Sequence, residues 1–209
     1  MNRNLTVVIV ALLVTWVVSA RDERPTQQTL AHQDAKTPNM FPLAKGTQWH
    51  TDVNVNGMTL SVVQEVTESS KQGNTTKGTI TTKVNGQDIN EELSIDEKGI
   101  YRHSLSNFKL DKPLLAFKYP IQPQKWTETI DIQGMSVDVK MEMKAAEDVT
   151  VAAGSYKKVI PVEINMSIQG QEINATNYFA EGVGIIKQEM SLGGTKITSE
   201  LKKYVAGDK

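Results

Sequence analysis

The chain has no cysteine among its 209 residues. That excludes disulfide staples, cysteine-ligated metal or iron–sulfur centres, and a thiol nucleophile. Proline and glycine are scarce, at seven and fourteen, so collagen and Pro/Gly-rich low-complexity chains are excluded as well. No run of five like charges occurs. Lys and Arg number 23 against 24 Asp and Glu, a formal charge of -1, which supplies neither a basic field for nucleic acid nor a polybasic membrane anchor. What remains, 39% hydrophobic and 22% charged, is the composition of an ordinary globular protein.

The one long apolar run lies at the start. Arg3 and the N-terminal amine precede Leu5 to Val18, interrupted only by Thr6 and Thr15. As a helix this run spans about 21 Å, short of the roughly 30 Å hydrocarbon core of a bilayer. Val18-Ser19-Ala20 then presents compact residues where signal peptidase reads. The pattern predicts a secretory signal over residues 1–20, cleaved between Ala20 and Arg21, with an uncleaved anchor as the alternative. No cysteine follows the run, so a bacterial lipid anchor is not expected. The expected location is periplasmic or extracellular, with no integral membrane span after signal removal. Residues 21–40 are polar, with Pro25 and Pro38, and read as a flexible leader. Residues 41–207 then form a single β domain, long enough to be held by its core alone.

From Trp49 onward the dominant period is two. Val53 and Val55 alternate with Asp52 and Asn54; Met58, Leu60, Val62 and Val66 share a face on which Gln64 is the exception. The clearest stretch runs Met135, Val137, Val139, Met141, Met143, with Ser136, Asp138, Lys140 and Glu142 between. Ile160, Val162, Ile164, Met166 and Ile168 repeat it. Such alternation marks strands wet on one side, which favours antiparallel over parallel sheet. Asn56-Gly57, Asn85-Gly86, Gln133-Gly134, Gln169-Gly170 and Gly193-Gly194 mark turns between them; Gln-Gly is the weaker signal because Gln resists positive φ. The expected fold is all-β: a curved antiparallel sheet, half-barrel or open barrel, of about 11–12 strands.

Two segments repeat. Trp49 and Trp126 each precede a turn glycine by eight residues, Gly57 before Met58 and Gly134 before Met135. Val84 to Asn90 matches Ile168 to Asn174, and each is followed by a glycine-led strand, at Gly99 and Gly184. The offset grows from 77 to 84 residues, which points to an extra hairpin around Val149 to Lys157. The reading is two related halves, about 41–106 and 118–207, making one continuous sheet. Between them, 107–125 is an apolar connector holding Leu110, Leu114, Leu115, Phe117, Tyr119 and Ile121 among three prolines. It is expected as a crossover against the concave face or in its mouth.

Chemistry is sparse. His32, His50 and His103 form no HExxH or HxH pair, so no metal site is expected. There is no G-x-S-x-G; Gly154-Ser155 sits in a turn with no histidine near it in sequence. The carboxylates Asp96-Glu97 and Glu91-Glu92 are read as facing solvent or lying in turns. Gly182-Val183-Gly184 precedes a strand, so it cradles no phosphate. Three sequons, at Asn74, Asn165 and Asn174, read as chance. No cofactor is implied. The candidate lining of an apolar-ligand site is Leu114, Phe117, Tyr119, Met135, Met141, Met143 and Met166, since methionine adapts to varied guests, although core filling is the simpler role.

Phe41 to Trp49, Val149 to Lys157 and Tyr178 to Glu189 look like the signatures of exported bacterial proteins of a domain-of-unknown-function family, which itself resembles the lipoprotein-carrier (LolA-like) half-barrels. Ala152 stands where that pattern usually has proline. The resemblance implies an exported β protein and carries over no catalytic residue. The functional expectation is therefore an exported non-enzyme whose concave sheet binds an apolar or amphipathic ligand, such as a lipid. The alternative is a structural or adaptor module of the cell envelope that binds other proteins, and a hydrolase ranks third.

Face assignment can be tested directly. Val139→Asp should destabilise the fold by several kcal/mol, roughly the cost of an unpaired buried charge, while Lys140→Asp should change little. Urea midpoints of the two variants measure this, and similar losses would refute the assignment.

Overall fold

The computed structural model describes residues 38–84, 86–105, 108–132 and 134–208. The signal and cleavage residues Ala20 and Arg21, and His32, lie outside them. Thirteen strands follow one another: β1 Gln48–Val55, β2 Met58–Gln72, β3 Thr75–Val84, β4 Gln87–Ile95, β5 Gly99–Leu105, β6 Phe108–Lys118, β7 Gln124–Ile132, β8 Met135–Met143, β9 Glu147–Val151, β10 Gly154–Ile168, β11 Gln171–Ala180, β12 Gly184–Leu192 and β13 Thr195–Val205. They form one antiparallel sheet in the order β6-β5-β4-β3-β2-β1-β13-β12-β11-β10-β8-β7, with β9 paired to β10. The sheet is nearly closed into a barrel, and one seam, between β6 and β7, carries no ladder.

Alternation decides which side chains fill the barrel. On β8, Val137, Val139, Met141 and Met143 are buried while Ser136, Asp138 and Lys140 are exposed. Val139 has no exposed surface. Two-residue turns set the registers. Val55 pairs Met58 around Asn56 (φ 51°) and Gly57 (φ 83°), both in the left-handed region, as a twist-matched hairpin turn requires. Gln169 also adopts φ 52°, because the Ile168–Gln171 register leaves a two-residue turn no other course. Successive strands alternate in direction, so the tips at 56–57, 86, 134, 169–170 and 193–194 share one end of the barrel.

The opposite end is closed by the start of the folded chain. Met40, Phe41 and Leu43 are buried there, and the Phe41 ring lies 5.1 Å from that of Trp49. Tyr119 Oη donates to Pro38 O at 2.7 Å, and Gly182 N donates to Asn39 O at 2.7 Å. The packed body thus reaches back to Pro38, inside the span read as leader. A hairpin does stand at 147–159: β8 and β9 pair consecutive lengths of β10, and Ala153 N donates across the end to Leu201 O on β13 at 2.9 Å.

The connector is corrected. Residues 108–118 do not cross the barrel; they are β6, paired with β5. The prolines misled because Pro113 falls where the ladder shifts, between the Arg102–Leu114 and Ser104–Lys109 pairs, and an edge strand tolerates a missing donor there. The apolar density of this stretch is one edge strand's inward share, with Leu110, Leu114, Ala116 and Phe117 all buried.

Packing at that edge is tight. A Cβ on Gly99 would stand 2.1 Å from Phe117 O and 2.5 Å from Leu115 Cδ1, whereas one on Gly57 would meet nothing within 4 Å. Gly99→Ala should therefore cost about 2 kcal/mol or more through overpacking, against about 1 kcal/mol of backbone strain for Gly57→Ala. Chemical denaturation of both variants distinguishes them, and equal losses would contradict the close approach.

Candidate functional site

The barrel interior is filled. Of the seven side chains expected to line an apolar-ligand site, Leu114, Phe117, Tyr119, Met141, Met143 and Met166 all belong to one packed core. The Phe117 ring lies 4.8 Å from Phe179 and 5.5 Å from Tyr119, edge-on in both cases. Met135 stands apart, half-buried near the hairpin tips, with Gln169 Nε2 donating to its sulfur at 3.5 Å. The structure thus brings six of the seven into one core, with Tyr119 and Met166 also reaching outer grooves.

Apolar packing is interrupted by polar groups on the inward registers. Glu91 follows Ile89 and precedes Leu93 on the inner face of β4, and it is 3% exposed. This corrects its reading as a solvent-facing carboxylate. Arg102 lies between inward Ile100 and Ser104 on β5, and its Nη1 stands 2.6 Å from Glu91 Oε1. The approach is not aligned as a hydrogen bond, so Glu91 Oε1 has no hydrogen-bond partner. Burial pushes the Glu91 carboxyl above its ordinary range, and the Arg102 guanidinium opposes that shift. Gln64, the exception on its face, donates to Thr82 Oγ1 at 3.4 Å. Across the barrel, Gln188 Nε2 donates to the buried Asn177 Oδ1 at 2.7 Å. A small cavity of about 60 Å³ lies here, with Thr51, Gln64, Glu91, Arg102, Lys187, Gln188 and Ser199 on its polar side and Phe41, Trp49, Val53, Ile80, Ile185 and Ile186 on its apolar side. The signal for this layer was in the sequence: strict period two already placed Glu91 and Arg102 inward.

The outer wall holds a pair that sequence spacing did not reveal. Ser94 Oγ lies 2.6 Å from His103 Nε2, joined across the β4–β5 ladder. Burial holds the His103 imidazole below its usual pKa, with Glu92 drawing it up and Lys77 pushing it down. A nucleophile and base at this distance suit acyl transfer in principle. Two things are missing. Ser94 is 6% exposed, and near the end of β4 it is paired with Lys77 on one side and Tyr101 on the other, where main-chain N–H groups serve the ladders instead of an oxyanion. His50 Nε2 is 3.3 Å from Gln48 Oε1, and Ser155 Oγ is 2.9 Å from Thr150 Oγ1. Among the described residues, no three His, Asp or Glu side chains gather as a metal site would need.

Beside the seam, at the end that the N-terminal segment closes, lies an outer groove of about 690 Å³. Pro38, Tyr101, Leu115, Tyr119, Pro120 and Ile121 line it. Burial, with Asp96, Glu128 and Glu97 adding their charge, pushes the Tyr101 hydroxyl up to about 12. The seam itself is bridged by side chains: Trp126 Nε1 donates to Leu115 O at 2.8 Å, and Asp131 N donates to Asp111 Oδ1 at 3.1 Å.

The class defined so far is a nearly closed, up-and-down antiparallel barrel with a filled interior. Solved structures share that fold. One is a candidate lipoprotein of Parabacteroides distasonis ATCC 8503, 13% identical, covering 83% of this chain and 100% of its own, with a TM-score of 0.58. Another is a candidate exported protein with a YmcC-like fold from Bacteroides fragilis NCTC 9343, 12% identical, covering 81% of this chain and 100% of its own, with a TM-score of 0.55. No known sequence family and no curated protein matches the chain. At these identities the likeness is one of fold.

Buried and without an oxyanion site, Ser94 should resist a fluorophosphonate probe at mildly alkaline pH. Intact mass after incubation reads this, and labelling that Ser94→Ala abolishes would make the pair a working nucleophile.

Proposed function

We propose that this chain is an exported, non-catalytic β-barrel of the cell envelope that works as a structural or adaptor module, engaging other proteins through its outer wall. The observation that carries this reading is the filled interior. Met141, Met143, Phe117 and Leu114 are each 3% exposed or less, and the polar cavity near Glu91 holds only about 60 Å³. By comparison, an engineered apolar cavity of about 150 Å³ takes up a single benzene. Export is supported by the signal-like first twenty residues, and by the description of one similar fold as that of an exported protein. A cysteine-free core that needs no disulfide suits either side of an envelope.

The reading includes two related halves. The repeated segments fall on corresponding strands: Trp49 on β1 and Trp126 on β7, the Val84 and Ile168 turns after β3 and β10, Gly99 and Gly184 opening β5 and β12. Each half then contributes a six-stranded meander, and β9 is the insertion.

A carrier reading draws its support from the outer groove beside the seam. The outer groove is mostly apolar and large enough for a length of acyl chain, and Tyr119 is the one expected ligand-lining residue on its wall. Native mass spectrometry of the purified protein decides between the two. The bare polypeptide mass, with envelope proteins captured by crosslinking, is the expected result. A co-purifying lipid that Leu115→Asp removes would replace the adaptor reading with a groove-bound carrier.

A further inference from the structure

We propose that the cavity between Glu91, Arg102 and Gln64 is an internal hydration site, holding about two to four water molecules hydrogen-bonded to Glu91 Oε1 and to the polar side chains opposite. The proposal goes beyond the envelope-adaptor reading and does not depend on it. Three observations carry it. First, Glu91 is buried, its side chain 4% exposed and that of Arg102 13%, and its Oε1, ion-paired with Arg102 Nη1 at 2.6 Å, accepts no aligned hydrogen bond among the described residues. A buried carboxyl oxygen left without one is costly, and native proteins seldom leave it so. Second, the cavity has the wrong size and lining for anything else. Its volume of about 60 Å³ is below that of an aromatic ring's site. A cation entering it would face the Arg102 guanidinium, with Lys187 also on its wall, and an anion would face the Glu91 carboxyl. A small neutral molecule that both donates and accepts meets neither objection, and water satisfies Glu91, Thr51, Gln188 and Ser199 alike.

Third, the Glu91–Arg102 pair belongs to one half, while Gln188 and Ser199 reach the cavity from the other. Aligning Asn90 with Asn174, as the repeated turns require, sets Ala175 opposite Glu91. Ala175 is buried like Glu91 but has no charge to solvate. The inward neighbours along the strands, Ile80, Ile89 and Leu93 on one side and Val53, Met190 and Ile197 on the other, are all buried hydrocarbon. The waters would thus sit as an isolated pool within a dry barrel and supply the dielectric that lets a carboxyl and a guanidinium share its interior.

The test uses the purified wild-type protein in two measurements. A high-resolution crystal structure should show solvent peaks within hydrogen-bond distance of Glu91 Oε1. Crystals pressurised with xenon should show none of it in this cavity, because apolar cavities take xenon and wet ones do not. In solution, water–protein cross-relaxation should report long-lived water beside the Arg102 guanidinium, and the Glu91→Leu/Arg102→Leu double variant should lose that signal. Xenon in the cavity would overturn the proposal. So would a Glu91 carboxylate turned to hold Arg102 with both oxygens and no solvent peak beside it, or a water signal unchanged in the double variant. The wild-type measurements stand whether or not the double variant folds.

Discussion

Closure of the sheet rests on the ladder between β1 and β13, which joins the first strand of the fold to the last. It runs from the Gln48–Val205 pair to the Val55–Ile197 pair, with one bulge after His50. Every other ladder joins strands near in sequence; this one spans the whole domain and carries the highest loop-closure cost. Once it forms, two open meanders become one wall, and the inward faces on either side can bury each other. Its ends are reinforced from outside the strands. Gly207 N donates to Thr47 Oγ1 at 3.2 Å and Asp208 N to Lys45 O at 3.0 Å, while Trp49 Nε1 donates to Val183 O. The terminal segments therefore cap the same end of the barrel that they close.

Much of this was legible because a strand's chemistry is local. A residue's face follows from its neighbour's, so Val137 to Met143 could be assigned inward without knowing their partners. Turn residues fixed the hairpins for the same reason. The failures are as local. The three prolines of 107–125 argue for a connector, whereas Pro113 occupies a ladder shift within the edge strand β6. Glu91 was assigned by residue type, although its register between Ile89 and Leu93 placed it inside. Ser94 and His103 could not be paired from spacing, since they meet only through the alignment of β4 with β5 around the turn at 96–98. The choice between half-barrel and near-closed barrel was likewise out of reach, because closure depends on sheet curvature rather than on any one strand's pattern.

A filled barrel changes what its methionines mean. Met141 and Met143 face β7 and β10, with Trp126 opposite Met141 and Val162 opposite Met143. Unbranched, flexible side chains suit an interior where a Trp, a Phe and branched aliphatics leave uneven gaps. The polar layer is the part of the interior that hydrocarbon packing does not explain. A buried ion pair is seldom a source of stability, since replacing both partners with hydrocarbon is often neutral or better. If the two halves are related, Ala175 takes the corresponding place in the other, and the ion pair is a local feature superimposed on a shared framework.

The seam is the counterpart of the closing ladder. If β1 to β6 correspond to β7 to β13 with β9 set aside, then β6 and β7 stand to each other as β13 and β1 do. One junction carries a register of eight residue pairs; the other is held by an indole, a carboxylate and the Gln124 amide, which donates to Lys118 O and Pro120 O. The difference lies in β6. Between Arg102 and Ser104 its ladder with β5 shifts, bending the strand away from a straight edge, and Pro113 offers no donor. Asp111 and Lys112 place charge on the same stretch. These are the features by which sheet proteins keep an edge from pairing with a stranger. The same irregularity that prevents the barrel from sealing thus protects the edges it leaves open.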